Sequence, residues 1–190
     1  VTHDDAPLIQ ATLRGDSQAY GQLVEKYQDR LLTALVHVCS SRHEAEDALQ
    51  DAFVQAYLKL SSFAGGSAFY TWLYRIAFNT AISRRRRRRE ESSVEQTREL
   101  TGEEPQDDGE RVDENLLRQE RAVQVQKALA KLSDEHRVIL VLREVEGCDY
   151  EQIAGVLDLP VGTVRSRLHR ARLHLKEELS AILQAEGSGD

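Results

Sequence analysis

The stretch EESSVEQTRELTGEEPQDDGERVDENLLRQ, residues 90–119, is the strongest constraint on what this chain can form. It is poor in large apolar residues, holds Gly102, Pro105 and Gly109, and has a net charge of -8. Such a segment cannot bury enough surface to offset the entropy lost on ordering, so the sequence predicts a flexible acidic linker. It divides the 190 residues into a front module of net +3, residues 1–89, and a rear module of net -2, residues 120–190. The whole-chain charge of -7 therefore describes the linker and says little about the modules.

Both modules read as all-α. In the front one, Leu8, Ile9, Ala11 and Thr12, then Tyr20, Leu23, Val24 and Tyr27, recur at helical spacing. Gly15-Asp16-Ser17 marks a turn and a helix start, and the apolar run continues from Leu31 to Cys39. HEAEDALQDAFVQAYLKL, residues 43–60, places Ala45, Leu49, Ala52, Phe53, Ala56, Tyr57 and Leu60 on one broad face. Ala64-Gly65-Gly66-Ser67 breaks that helix, and a new one is expected to start with Ser67 as its cap. The rear module offers two amphipathic stretches, Leu117 to Leu132 and Glu135 to Glu146, the second ended by Gly147. No segment alternates as a strand would, and no run of eighteen apolar residues could span a membrane.

The rear module ends in DYEQIAGVLDLPVGTVRSRLHRARLHLK, which has the layout of a helix-turn-helix. Asp149 caps a short helix, with Gln152 as its reciprocal partner. Asp158 stands where the turn needs a left-handed backbone, and Ala154 is small where the two helices cross. On the last helix Val164, Leu168, Ala171 and Leu175 fall on one buried line, with Gly162, Ser166, His169 and Leu173 opposite. Arg165, Arg167, Arg170, Arg172 and Lys176 occur before any acid. A helix with one apolar stripe and a cationic outer face suits the DNA major groove, where arginine takes guanine edges or phosphates. A charge run alone would read as a solvated bundle helix; cap, turn and stripe together favour DNA.

SAFYTWLYRIAFNTAISRRRRRR, residues 67–89, crowds Phe69, Tyr70, Trp72, Tyr74 and Phe78 beside six arginines, Arg84 to Arg89. Phe69, Leu73, Ile76 and Thr80 share one face, with Phe69 and Leu73 expected in the core; Tyr70, Trp72, Tyr74 and Phe78 spread round the rest. Some rings are therefore expected at the surface, beside Arg75 and Asn79, where unpaired bases stack at ~1–3 kcal/mol each. Core packing is the competing reading of the same rings.

SSFAGGSAFYTWLYRIAFNTA, then the linker, then LREVEGCDYEQIAGVLDLPVGTVRSRLHRAR closely resembles the extracytoplasmic-function class of bacterial sigma factors, from about Leu8 to Leu183. The resemblance implies an alternative sigma factor that binds core RNA polymerase and directs initiation at particular promoters. Asp47, Gln50, Asp51 and Phe53 match positions that dock on the polymerase clamp. The loop Phe63, Ala64, Gly65, Gly66, Ser67, with Tyr70, Trp72, Tyr74, Arg75 and Asn79, resembles the reader of the minus-ten element, where a non-template base is flipped into a pocket formed by the loop and Asn79. Thr163, Arg165, Ser166, His169 and Arg170 match positions facing the minus-thirty-five element. The linker is implied to thread the polymerase toward the RNA exit path, and an anti-sigma protein to clamp both modules.

This chain departs from its relatives at Ala64 and Gly66, where they often carry a basic and an acidic residue, and at His169, where some carry an aromatic. Because the acidic linker adjoins Arg84 to Arg89, it is also expected to mask that run and the C-terminal helix in the free protein. No catalytic residue, metal ligand or cofactor is expected: there is no phosphate-binding glycine loop, nucleophile elbow or zinc-protease pair, and His37, Cys39 and His43 are poorly spaced for a metal. A regulator binding duplex DNA as a dimer would use only the rear module and leave the front one unexplained. VTHDDAPLIQ lacks a secretion-signal pattern, and Cys39 and Cys148 suit free thiols, so a cytoplasmic location is expected.

Overall fold

The computed structural model describes residues 5–39, 41–95 and 114–187. Their regular structure is helical throughout, without a strand among the described residues. The front module holds α1 (Ala6–Leu13), α2 (Ser17–Val38), α3 (Arg42–Lys59), a short 3-10 turn (Leu60–Ser62) and α4 (Phe69–Glu95). The rear module holds α5 (Glu114–Lys131), α6 (Asp134–Leu140), a π-helical turn (Val141–Val145), α7 (Tyr150–Leu157) and α8 (Val161–Gly187). Helices α4 and α5 thus extend into both edges of the stretch read as linker; residues 96–113, and the masking expected of them, lie outside the described residues.

The helix starts follow from local chemistry. Asp16 accepts from the backbone N–H groups of Gln18 and Ala19, Ser41 from Glu44 and Ser133 from His136. Helix α4 starts later than a Ser67 cap would place it: the Ala68 carbonyl accepts from Thr71 and Trp72, and the first helical residue is Phe69.

The two modules share one continuous apolar core. Leu23, Leu31, Leu35, Ala52, Leu73 and Ala77 fill the front, and Ile139, Leu142, Ile153, Val164 and Leu168 the rear. Arg137 of α6 fastens the seam between them. It is only 2 % exposed, and its guanidinium donates to the carbonyls of Leu129, Ala130 and Leu132 at the end of α5 and to Val38 at the end of α2, at 2.6–3.1 Å. Carbonyls at a helix end have no partner within the helix, so one fork of five donors completes the end of α5 and reaches α2. Arg137→Ala should lower the unfolding free energy by at least ~2 kcal/mol, read by urea titration, because buried acceptors lose their donor. Arg137→Lys should recover little of it, since a point charge cannot span these carbonyls.

Candidate nucleic-acid interface

The α7–α8 unit forms as its local sequence dictates. Asp149 and Gln152 make a reciprocal capping box, at 2.7 and 2.8 Å. Asp158 ends α7 with φ of 56°, the left-handed conformation an aspartate tolerates. Val164, Leu168 and Ala171 are buried and Leu175 packs at the edge. Opposite them Arg165, Ser166, His169 and Arg170 are exposed and Thr163 is half-buried. The cations of α8 divide: Arg167 pairs with Glu135 and Arg172 with Glu144, which ties them to the module, whereas Arg165 lies over the Tyr150 ring and stays at the surface, where Lys176 is also exposed.

Helix α4 has three working faces. The first, with Phe69, Leu73 and Ala77, packs into the front core. The second is covered by the rear module: Tyr74 and Phe78 are 1 % exposed, Arg75 reaches the Val156 carbonyl and the Asp158 carboxylate, and α4 runs along α7. At the centre of this seam the Tyr74 hydroxyl donates to the Glu146 carboxylate at 2.8 Å, and Arg30 of α2 donates to the same oxygen at 2.7 Å and to the Glu146 carbonyl at 2.9 Å. Burial, together with the carboxylate and its hydrogen bond, raises the Tyr74 phenol far above its ordinary range, so it stays a donor. The third face is open: Trp72 and Ile76 are half-buried, and Asn79 and Ser83 are exposed.

These faces correct in part the expectation that some rings of α4 reach the surface: Trp72 stays on the open face, whereas Tyr74 and Phe78 do not. Tyr74 and Phe78 are core residues; Tyr74 finds its hydrogen-bond partner in a module remote in sequence, and Phe78 packs edge to face on Tyr74. Tyr70 is half-buried beside Tyr74. Of the predicted strand-reading residues, Trp72, Asn79 and the loop Phe63, Ala64, Gly65, Gly66, Ser67 lie away from the seam, while Tyr74 and Arg75 are engaged in it.

The loop bounds a cavity of about 540 Å³ against α1, lined by Phe63, Ser67, Phe69, Asp5, Ile9 and Gln10 among others. Phe63 and Phe69 meet edge to face at 5.7 Å, and Trp72 lies tilted against Phe63 at 5.3 Å. Asn79 does not line this cavity.

On α3 the predicted docking residues separate. Gln50 and Phe53 line an apolar groove of about 520 Å³ with Val54, Tyr57 and Leu58, the last 72 % exposed. Asp47 and Asp51 lie on the other flank, both paired with Arg84. Arg88 pairs with Glu44, and Arg85 with Asp134 of the rear module. The arginine run is therefore partly a zipper along α3. Its spacing already carried the signal: Arg84 and Arg88 are one turn apart, as are Asp47 and Asp51.

Residues 23–91 match the family description Sigma-70 region 2, and residues 122–175 match Sigma-70, region 4. Over 185 residues the chain is 42 % identical to the RNA polymerase sigma-H factor of Pseudomonas aeruginosa, across 95 % of this chain and 96 % of that protein. It is 36 % identical over 187 residues to the ECF RNA polymerase sigma-E factor of Escherichia coli, with the same coverage of both. The chain belongs to the extracytoplasmic-function class of sigma factors.

Two solved structures are similar to it at a TM-score of 0.65 and 28 % identity. One is CnrH in complex with the cytosolic domain of CnrY, matched over 96 % of this chain and 99 % of that one. The other is the sigma factor RpoE in complex with the anti-sigma factor NepR from Bartonella quintana, over 85 % and 96 %. As an alternative sigma factor the chain serves promoter-specific initiation by RNA polymerase, and among its described residues no helix is long and apolar enough to cross a membrane.

Sequence reasoning missed Arg30, Arg137 and Glu146, the polar residues that close this sigma factor's seam. Gly147 held a usable signal: its φ of 66° ends the π-helical turn and leaves the preceding Glu146 buried. The faces of α4 predict opposite phenotypes. Tyr74→Phe should cost the free protein about 1.5–3 kcal/mol in chemical denaturation, the range for a hydrogen bond to a charged group, yet retain binding of a premelted promoter by the polymerase complex. Trp72→Ala should lose that binding while keeping its helical circular dichroism.

Proposed function

We propose that this sigma factor reads a promoter with two surfaces that the free protein holds in a closed arrangement. On α8, Arg165, Ser166, His169 and Arg170, with Thr163 at the start, enter the major groove at the minus-thirty-five element. Four exposed polar side chains on the face opposite a buried stripe support this placement. The loop Phe63 to Ser67 and the open face of α4, with Trp72 and Asn79, hold the unpaired non-template strand of the minus-ten element. Tyr70, Tyr74 and Arg75 join that surface only after the modules part. Helix α3 docks on core polymerase through the groove beside Gln50 and Phe53, with Asp47 and Asp51 as its charged flank. The chain contributes recognition and positioning, and nucleotide addition is left to the polymerase.

The observation that carries this reading is the division of α4. One face is closed by Glu146 and α7, and the opposite one, beside an aromatic-walled cavity, is open. Both structural neighbours are complexes, one with a named anti-sigma factor. By analogy, a protein of that kind bridging the modules would hold this chain closed, and assembly with core polymerase would open it.

Reconstitution tests the function. Core polymerase with this protein should initiate at a promoter, selected from genomic fragments, that core alone ignores; no gain over core would refute it. Arg165→Ala should weaken binding of the minus-thirty-five element by about 5- to 100-fold, and an equal loss on random DNA would reduce Arg165 to a phosphate contact.

Opening has its own reporter. Cys148 is buried beside Glu146 and Tyr74, and burial pushes its thiol up to about 11. In a Cys39→Ser background, Cys148 should resist a thiol reagent at pH 8 in the free protein and react at least tenfold faster in the polymerase complex. Equal rates in the two states would contradict opening.

A further inference from the structure

The arginine run carries the three faces of α4 onward. Arg84, two turns beyond Ala77, extends the core face to α3, where it bridges Asp47, at 2.6 Å, and Asp51. Arg85, two turns beyond Phe78, extends the seam face to Asp134 of the rear module, at 2.7 Å. Arg87, one turn beyond the exposed Ser83, is itself exposed and in line with the open face. The two paired arginines are thus held by the two parts of the molecule that assembly with polymerase would change: the docking helix and the rear module.

The two sets of pairs differ in how they can be exchanged. Arg84, Asp47 and Asp51 are 41, 38 and 48 % exposed, so water and salt screen their attraction. A cavity of about 340 Å³ between the run and α3, bordered by Asp47, Asp51, Arg84 and Arg87, opens the carboxylates to an incoming cation. A basic group of the polymerase that takes these acids repels Arg84 from them. Arg85 and Asp134 are only 12 and 19 % exposed, so their pair holds until the modules part. Arg88, paired with Glu44, keeps the run against α3 throughout. We propose that Arg84 and Arg85 form a latent phosphate-binding surface: docking of polymerase on Asp47 and Asp51 releases the first, parting of the modules releases the second, and both then hold the promoter backbone beside Arg87. The proposal rests on reading α3 as the docking helix, and it couples docking to DNA affinity through the exchange of one set of anions for another.

Salt titration of DNA binding by the full chain tests it. In the free protein, Asp47→Asn with Asp51→Asn unlatches Arg84 and should steepen the logarithmic salt dependence of binding to a random-sequence duplex by about one, the value for one added phosphate contact. Glu25→Gln with Asp29→Asn removes the same charge, at the same spacing, from exposed positions of α2 and should leave that slope unchanged. In polymerase reconstituted with the chain, Arg84→Gln with Arg85→Gln should flatten the slope at a promoter by about two, whatever the base sequence beside the contacts. Equal slopes for the two acid-to-amide variants, or an unchanged slope for the arginine variant in the polymerase complex, would overturn the latent surface. Unchanged affinity of the Asp47→Asn, Asp51→Asn variant for core polymerase without DNA would overturn the docking role of these acids and the release step with it, a failure separate from that of the free-protein slope.

Discussion

A buried carboxylate governs this molecule. Glu146 is 8 % exposed, and it is tolerable there only because Tyr74 and Arg30 satisfy it. The Arg30 side chain is itself largely exposed, so the burial falls on the carboxylate, and losing either partner leaves that charge less compensated. The Glu146 cluster therefore acts as a conditional fastener. It holds the modules together while all three groups are in register, and it gains solvation when they separate. Arg137 has a different character, since its carbonyl partners include the end of its own module's α5 and would still need most of its donors after the modules parted.

That distinction makes one helix serve several purposes. The core face of α4 belongs to the front module permanently, through Phe69, Leu73 and Ala77. Its seam face is borrowed by the rear module, through Tyr74, Phe78 and Arg75. Its open face remains available beside the loop and the aromatic-walled cavity. A helix aromatic on all sides would be a liability in a free protein, because exposed rings favour association. Covering one face with the protein's own second module removes that liability until another surface competes for it. The zipper of Arg84 and Arg88 along α3 acts similarly, lowering the charge of a run that would otherwise bind nucleic acid indiscriminately.

What could be read from sequence was what is local. The capping box of Asp149 and Gln152, the left-handed Asp158 and the stripe of Val164, Leu168 and Ala171 each depend on residues within a few turns, and each appears where the pattern places it. The helical class and the division into modules were legible for the same reason. Among the candidate site residues, the exposure of the outer face of α8 was legible from its apolar stripe, whereas the exposure of α4 was only half so. Its helical period identifies which residues share a face but not what covers that face. Tyr74 meets Glu146 across seventy-two positions and Arg30 meets it across more than a hundred, and no local rule pairs them. The apolar groove on α3 shows the same limit. Tyr57 continues the pattern of Phe53 and Leu60 yet lies at the surface, because the broad apolar face is wider than the core that receives it.

The distance between modules is the most direct measure of this account. Spin labels on exposed Gln18 of α2 and Ser180 of α8, compared in the free protein and in its complex with core polymerase on promoter DNA, would report it. A single narrow distance in the free protein, replaced by a distinctly longer one in the complex, is the expected result. A broad distribution in the free protein, or the same short distance in the transcribing complex, would contradict it.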